Sequence, residues 1–286
     1  MGALARIVGA KVGAAVGAAV ASATYHGLTR AESTSAALTR TNHRGESVTL
    51  AQGPALVAGA TIGAVATPGL DGSQRLAAAL AIAGSGTLGA YDDLLGDSDT
   101  KGLRGHLTAA AEGNITSGFI KLVGIGAIGV AAGALARKGR GGVVDALLAG
   151  AVIAGSANVL NLLDLRPGRA SKAFALLSTP YLVSPSGAML AGPQGATASM
   201  LPHDLAERSM MGDAGANALG AAWGVCAVSR MNRGSLLVTA GAIAGLTLLS
   251  ERVSFSDLIA QNPVTSWLDQ LGRVAPPPSA SWPPSD

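Results

Sequence analysis

Apolar stretches of about 18 to 20 residues recur along this chain, each long enough to cross the roughly 30 Å hydrocarbon core of a bilayer. In lipid every backbone N–H and C=O must find a partner within the protein, which leaves helices and closed barrels as the only spanning structures. No alternation of apolar and polar residues marks the strands of a barrel. The sequence therefore predicts an all-α, polytopic membrane helix bundle. Charge supports this, since Asp, Glu, Lys and Arg make up 13% of the residues against about 25% in a soluble domain.

Nine spans are expected, at 3–27, 50–68, 74–91, 115–136, 142–163, 171–184, 186–202, 214–229 and 235–250. Pro180, Pro185 and Pro193 interrupt the sixth and seventh. Lys11 breaks the apolar run of the first, so the segment reads as a retained helix rather than a secretory signal. Gly9, Gly13 and Gly17 repeat at four-residue spacing, a stripe that lets helices approach closely and could join two copies as a homodimer. The single cysteine, Cys226, excludes an intrachain disulfide.

Loop lengths alternate. The long segments 28–49, 92–114, 164–170 and 203–213, with everything after 251, fall on one face, and the short turns 69–73, 137–141, near 185 and 230–234 on the other. The first set carries the larger share of Lys and Arg, which places the long-loop face in the cytoplasm of a cell membrane and the N-terminus outside. These cations are scattered and form no stripe suited to nucleic acid. The chain divides into a transmembrane part (1–251), two short amphipathic helices (252–273) and a Pro-rich tail (274–286) read as disordered. In the second part Phe255, Leu258 and Ile259 share one face, and Val264, Trp267, Leu268 and Leu271 another. That pattern suits the membrane interface, with Trp267 at headgroup level, or a protein partner in envelope synthesis.

The long-loop face gathers the chemistry. The stretch LGAYDDLLGDSDTKGLRGHL (88–107) puts Asp92 and Asp93 side by side, followed by Lys101, Arg104 and His106. Adjacent carboxylates repel unless a cation or proton lies between them. Asn158, Asn161 and Asp164, spaced by three, suggest a polar stripe at the end of the fifth span. Polar groups at membrane depth are costly and mark function by default. Gly212, Asp213, Ala214 and Gly215 open the eighth span, where free N–H groups suit a phosphate and Asp213 suits a hard cation or a helix cap. Together these residues suggest a phosphate or diphosphate site assisted by Mg²⁺, which takes one or two carboxylates plus phosphate oxygens and water.

The segments GAYDDLLG…KGLRGH, NVLNLLD and MMGDAGANALG, in this order, resemble the signature segments of the polyprenyl-phosphate N-acetylhexosamine-1-phosphate transferases. That family includes the phospho-N-acetylmuramoyl-pentapeptide transferase of peptidoglycan synthesis. The resemblance covers roughly residues 1–250. It implies an enzyme that transfers a sugar-1-phosphate from a UDP-sugar to undecaprenyl or decaprenyl phosphate, releasing UMP, with Mg²⁺ or Mn²⁺. By motif, Asp213 would ligate the metal, with Asp164 beside it. Asp92 would deprotonate the lipid phosphate, with Asp93 in support. Asn158, Asn161 and Asp164 would line the nucleotide and metal site and Lys101 and Arg104 would hold phosphate; Arg166 and Arg169 could replace diphosphate contacts of the family, and Asn42 and Arg44 are further substrate-binding candidates. Three features depart from the family: DLRPGRA replaces its Asp-Gly-rich continuation, no histidine follows His203, and nine spans are expected here where the family has a tenth. A non-catalytic relative that binds a lipid phosphate, and a transporter using Lys11 and Lys121, stand as the other readings.

Overall fold

The computed structural model of the protein describes residues 3–31, 36–42, 44–96, 102–181 and 184–274. Lys101 and the tail from 275 onward lie outside them. The fold is all-α, with one small hairpin, β1 (Thr39–Thr41) against β2 (Ser47–Thr49). The helices are α1 (Ala3–Arg30), α2 (Gln52–Ala66), α3 (Gly72–Leu95), α4 (Gly102–Ala111), α5 (Ser117–Ala136), α6 (Gly142–Leu163) and α7 (Arg169–Ser178). After two 3₁₀ turns come α8 (Ala191–Leu205), α9 (Gly212–Val228), α10 (Arg233–Ser250), α11 (Phe255–Gln261) and α12 (Pro263–Gln270).

Helix starts follow local chemistry. Asp71 and Gln74 cap α3 reciprocally, Asp71 Oδ1 accepting from the Gln74 N–H at 2.9 Å and Gln74 Oε1 from the Asp71 N–H at 3.1 Å. Thr116 accepts from the Phe119 N–H at the start of α5, and Asn232 from the Ser235 N–H at the start of α10.

The bundle is organised around α9, in which 14 of 17 residues are buried. On one side Leu219 joins Leu56, Phe174, Met189 and Met200 in an apolar cluster. On the other Val225 joins Ile125, Val152, Ile153 and Leu236. Outward faces are apolar too: Val143 on α6 is 76% exposed and Val238 on α10 is 74% exposed. Such surface is costly in water and at home in lipid. Four helices, α1, α5, α6 and α10, are long and apolar enough to cross a membrane.

The structure revises two expectations. The sixth span, expected at 171–184, contains the ten-residue α7, which rises only about 15 Å. Pro180 and Pro185, which lack an N–H, force the chain after it into 3₁₀ turns at Thr179–Tyr181 and Pro185–Leu190. The chain still returns to the opposite end of the bundle, where the Cys226 thiol meets the Ser186 carbonyl. Second, the Gly9, Gly13 and Gly17 stripe packs inside the chain. A Cβ on Gly17 would lie 2.3 Å from the Gly192 carbonyl oxygen, and one on Gly13 1.9 Å from Thr67 Oγ1. The stripe seats α1 against α2 and α8 within one chain.

The long connections meet at one end. There Met210 N–H bonds to the Thr49 carbonyl beside β2, and Gly168 N–H bonds to Asp204 Oδ1 at 2.9 Å. The short turns meet at the other end, where Ser73 Oγ donates to the Leu135 carbonyl and Arg140 to the Ser229 carbonyl.

Candidate functional site

At the long-loop end the C-terminal turn of α3 meets the first turn of α9. Two glycines permit it. Gly212 takes φ +57° to turn the chain into α9, and a Cβ on Gly89 would sit 2.3 Å from the Asp213 carbonyl oxygen. The Asp93 carboxylate accepts from the backbone N–H groups of Asp213 (3.0 Å) and Ala214 (2.9 Å). It caps α9 from a neighbouring helix, satisfying donors that a helix start leaves open. Asp93 thus supports the site by fixing α9. Arg40 donates to its backbone carbonyl at 2.6 Å.

Asp92 faces the other way. Its Oδ1 accepts from Ser117 Oγ at 2.6 Å, and its Oδ2 pairs with the Lys121 ammonium, which also pairs with Asp213 Oδ2. The three side chains are 15%, 18% and 27% exposed for Asp92, Lys121 and Asp213, so the bridge is screened from bulk water but open to a cavity. Two carboxylates from different helices converge on one cation. The adjacent pair is accommodated by separation, Asp92 turning to Lys121 and Asp93 to the start of α9.

Lys121 lines a cavity of about 210 Å³ with Asn158, Asn161, Asn217 and His106. Asn217 is anchored by its own amide, which donates to the Asp213 carbonyl at 2.7 Å. Across Glu251 this cavity adjoins a larger groove of about 790 Å³ between α4 and α10. Leu107, Leu248 and Leu249 make the groove apolar, and Arg104 and Arg252 stand along it.

The expected Asn158, Asn161, Asp164 stripe divides. Asn158 and Asn161 face the Lys121 cavity, whereas Asp164 lines a separate one of about 160 Å³ with Arg166, Asn42 and Glu207. At 3.6 residues per turn, positions six apart point about 120° from each other. The helix also ends at Leu163, where Asp164 turns away at ψ 42°. Burial pushes the Asp164 carboxyl well above the usual carboxylate range, and the charges of Asp204, Asp213 and Asp93 push the same way. The Gly212 N–H at the start of α9 donates to the same carboxyl and offsets part of that rise, so Asp164 stays beside the turn that carries Asp213.

Other expected contacts are engaged elsewhere. Asn42 Oδ1 accepts from the N–H groups of Arg44 and Glu46, shaping the β1–β2 turn, and Arg44 pairs with Glu207 at 2.7 Å. Arg169, buried at 7% exposure, forks onto Asp269 of α12 at 2.7 and 3.1 Å and donates to Ser256 of α11 at 2.9 Å. Lys172 reaches the Asp269 and Leu271 carbonyls, and Arg273 the Pro167 carbonyl. The expected diphosphate contact is therefore a tail anchor, and the amphipathic hairpin is latched over the 164–169 turn. Trp267 remains 62% exposed.

Sequence reasoning missed Lys121, Ser117 and Asn217. Lys121 enters the sequence analysis only through the transporter reading, because a lysine near a span end can snorkel to the interface. The available signal was its place four residues after Ser117 in the first turns of an apolar helix, the spacing that puts both on one face.

The donor set can be tested against a divalent cation. Among the described residues no group of three or more His, Cys, Asp or Glu side chains is disposed to ligate a metal. Asp92 and Asp213, however, already share one cation, and two carboxylates completed by phosphate oxygens and water are what Mg²⁺ takes. The pair fits such an ion.

No protein-family model and no curated protein matches the chain. Fold and site together define a class: a helical membrane protein with a polar, carboxylate-and-lysine site at one end of its bundle.

Proposed function

We propose that this protein is a polyprenyl-phosphate phospho-sugar transferase working at the cytoplasmic face of the cell membrane in envelope glycan synthesis. The convergence of Asp92 and Asp213 on Lys121, which itself lines a cavity adjoining an apolar groove at Glu251, carries the reading. The motif resemblance supports it independently. The groove suits an isoprenoid chain, with Arg104 and Arg252 for the phosphate charge.

In this reading a phosphate oxygen of the lipid attacks the phosphorus that carries the sugar. The P–O bond to UMP breaks, and UMP leaves with the bonding pair. Asp92 accepts the proton of the lipid phosphate, held toward it by Ser117. Lys121 places positive charge beside the diphosphate, and Asn158 and Asn161 orient the donor. A Mg²⁺ or Mn²⁺ ion held by Asp213 would supply Lewis-acid polarisation, with Asp92 left to take the proton. UMP release is measured with purified protein, undecaprenyl phosphate, Mg²⁺ and a panel of UDP-sugars. Release that falls by about 100-fold or more in Asp92→Asn supports the proposal. Silence across the panel from folded, lipid-binding protein refutes it.

One observation favours the second reading, a non-catalytic binder of lipid phosphate. Lys121 already bridges the two carboxylates, occupying the position that a shared cation would take. Asp213→Asn that leaves cellular function intact would favour that reading.

A further inference from the structure

The opposite end of the bundle is strongly basic. Arg75, Arg137, Lys138, Arg140, Arg230 and Arg233 share it with only Asp71 and Asp145 among the described residues. Asp145 is taken by Arg137 and Arg233, and Asp71 by Lys138. Arg140 is held only by carbonyls, those of Arg137 (2.9 Å) and Ser229 (2.8 Å), which fix its guanidinium without neutralising it. Arg230 makes no side-chain hydrogen bond or ion pair among the described residues.

Lys138, Arg140 and Arg230 line one cavity of about 440 Å³, together with Gln74 and the buried Ser186 and Ser229. Lys138 is held at φ +55°, a left-handed conformation rare for a residue with a Cβ. At Pro185 this cavity adjoins a groove of about 510 Å³ along α1, walled by Ile7, Ala10, Ala14 and Ala188, with Arg6 and Lys11 beside it. A basic chamber thus leads into an apolar channel.

We infer that this end holds a second phosphate site, remote from the Asp92–Lys121–Asp213 cluster, whose ligand is an anionic phospholipid. Arg140 and Arg230, which no carboxylate neutralises, suit a phosphate with Lys138 beside them, and guanidinium groups bind its oxygens in pairs. The adjoining apolar groove selects a lipid over a free anion, because only an amphiphile fills both. The site also gives Lys11 a role in a span where its charge is otherwise a cost.

The test is native mass spectrometry of the full-length protein in detergent, titrated with phosphatidylglycerol, phosphatidylcholine or inorganic phosphate. Phosphatidylglycerol should bind at least about tenfold more tightly than phosphatidylcholine, about 1.4 kcal/mol. Arg230→Gln should erase most of that preference. Its side chain makes no hydrogen bond or ion pair among the described residues, so the variant should fold. Asp92→Asn, at the other end, should leave the preference unchanged. Equal retention of the two lipids, or a preference that survives Arg230→Gln, overturns the site. Inorganic phosphate displacing phosphatidylglycerol at matching concentrations overturns the lipid assignment.

Discussion

Replacing Lys121 with Met removes the cation shared by Asp92 and Asp213 while keeping the length of the side chain. Breaking a fully buried ion pair by deleting one partner costs about 3–5 kcal/mol, because the remaining charge is left uncompensated. Here the partners retain 15% and 27% exposure, and Asp92 keeps its bond from Ser117. Partial solvation reduces the expected cost to about 2–3 kcal/mol. At roughly 2 °C per kcal/mol, the melting temperature should fall by about 4–6 °C in EDTA. The protein carries its own reporter: Cys226 is its single cysteine and is fully buried, so a thiol-reactive dye labels it on unfolding. The variant should also gain a response to Mg²⁺, since two unpaired carboxylates become a cation site. At about ten times its Kd, the ion should return about 1.4 kcal/mol. A Lys121→Met protein that melts with the wild type, or that melts lower yet ignores Mg²⁺, would refute the idea that this lysine stands where a divalent cation belongs.

Two further outcomes follow from the same geometry. Gly89→Ala places a methyl 2.3 Å from the Asp213 carbonyl oxygen, and overpacking of this kind should cost about 1–3 kcal/mol; α3 and α9 must separate, so UMP release should fall along with the melting temperature. Burial raises the Asp269 carboxyl, but hydrogen bonds and charge from Arg169, then the charges of Arg273 and Lys172, outweigh it and hold the group below its usual value. A carboxylate depressed in the folded state stabilises above its free pKa of about 3.9, and that stability is lost as pH falls through the lower folded value. Slow hydrogen exchange in α12 should therefore persist at pH 5 in the wild type and be absent at pH 5 in Asp269→Asn.

The sequence makes the architecture legible because lipid permits so few solutions. Length and apolarity place α1, α5, α6 and α10. The meeting of Asp92 with Asp213 can be anticipated from the polarity of their loops, but not the partner between them. Lys121 sits in an ordinary apolar helix, and only the packing of α5 against α3 and α9 turns it inward. Asp164 illustrates the reverse failure: regular spacing suggests a stripe, but helical rotation and the end of α6 send it into another cavity. Arg169 is misjudged for a third reason, since its partner Asp269 lies 100 residues away. No local pattern encodes an ion pair of that span.

The latch between Arg169 and Asp269 has a practical consequence for topology. Because α12 is fastened to the turn that follows Asp164, the C-terminal segment through Val274 and the Asp92–Asp213 site lie at the same end of the bundle. A fluorescent reporter that matures only in the cytosol, fused after the last residue, would then report on both. The compartment in which it lights up is the one that must deliver any water-soluble substrate.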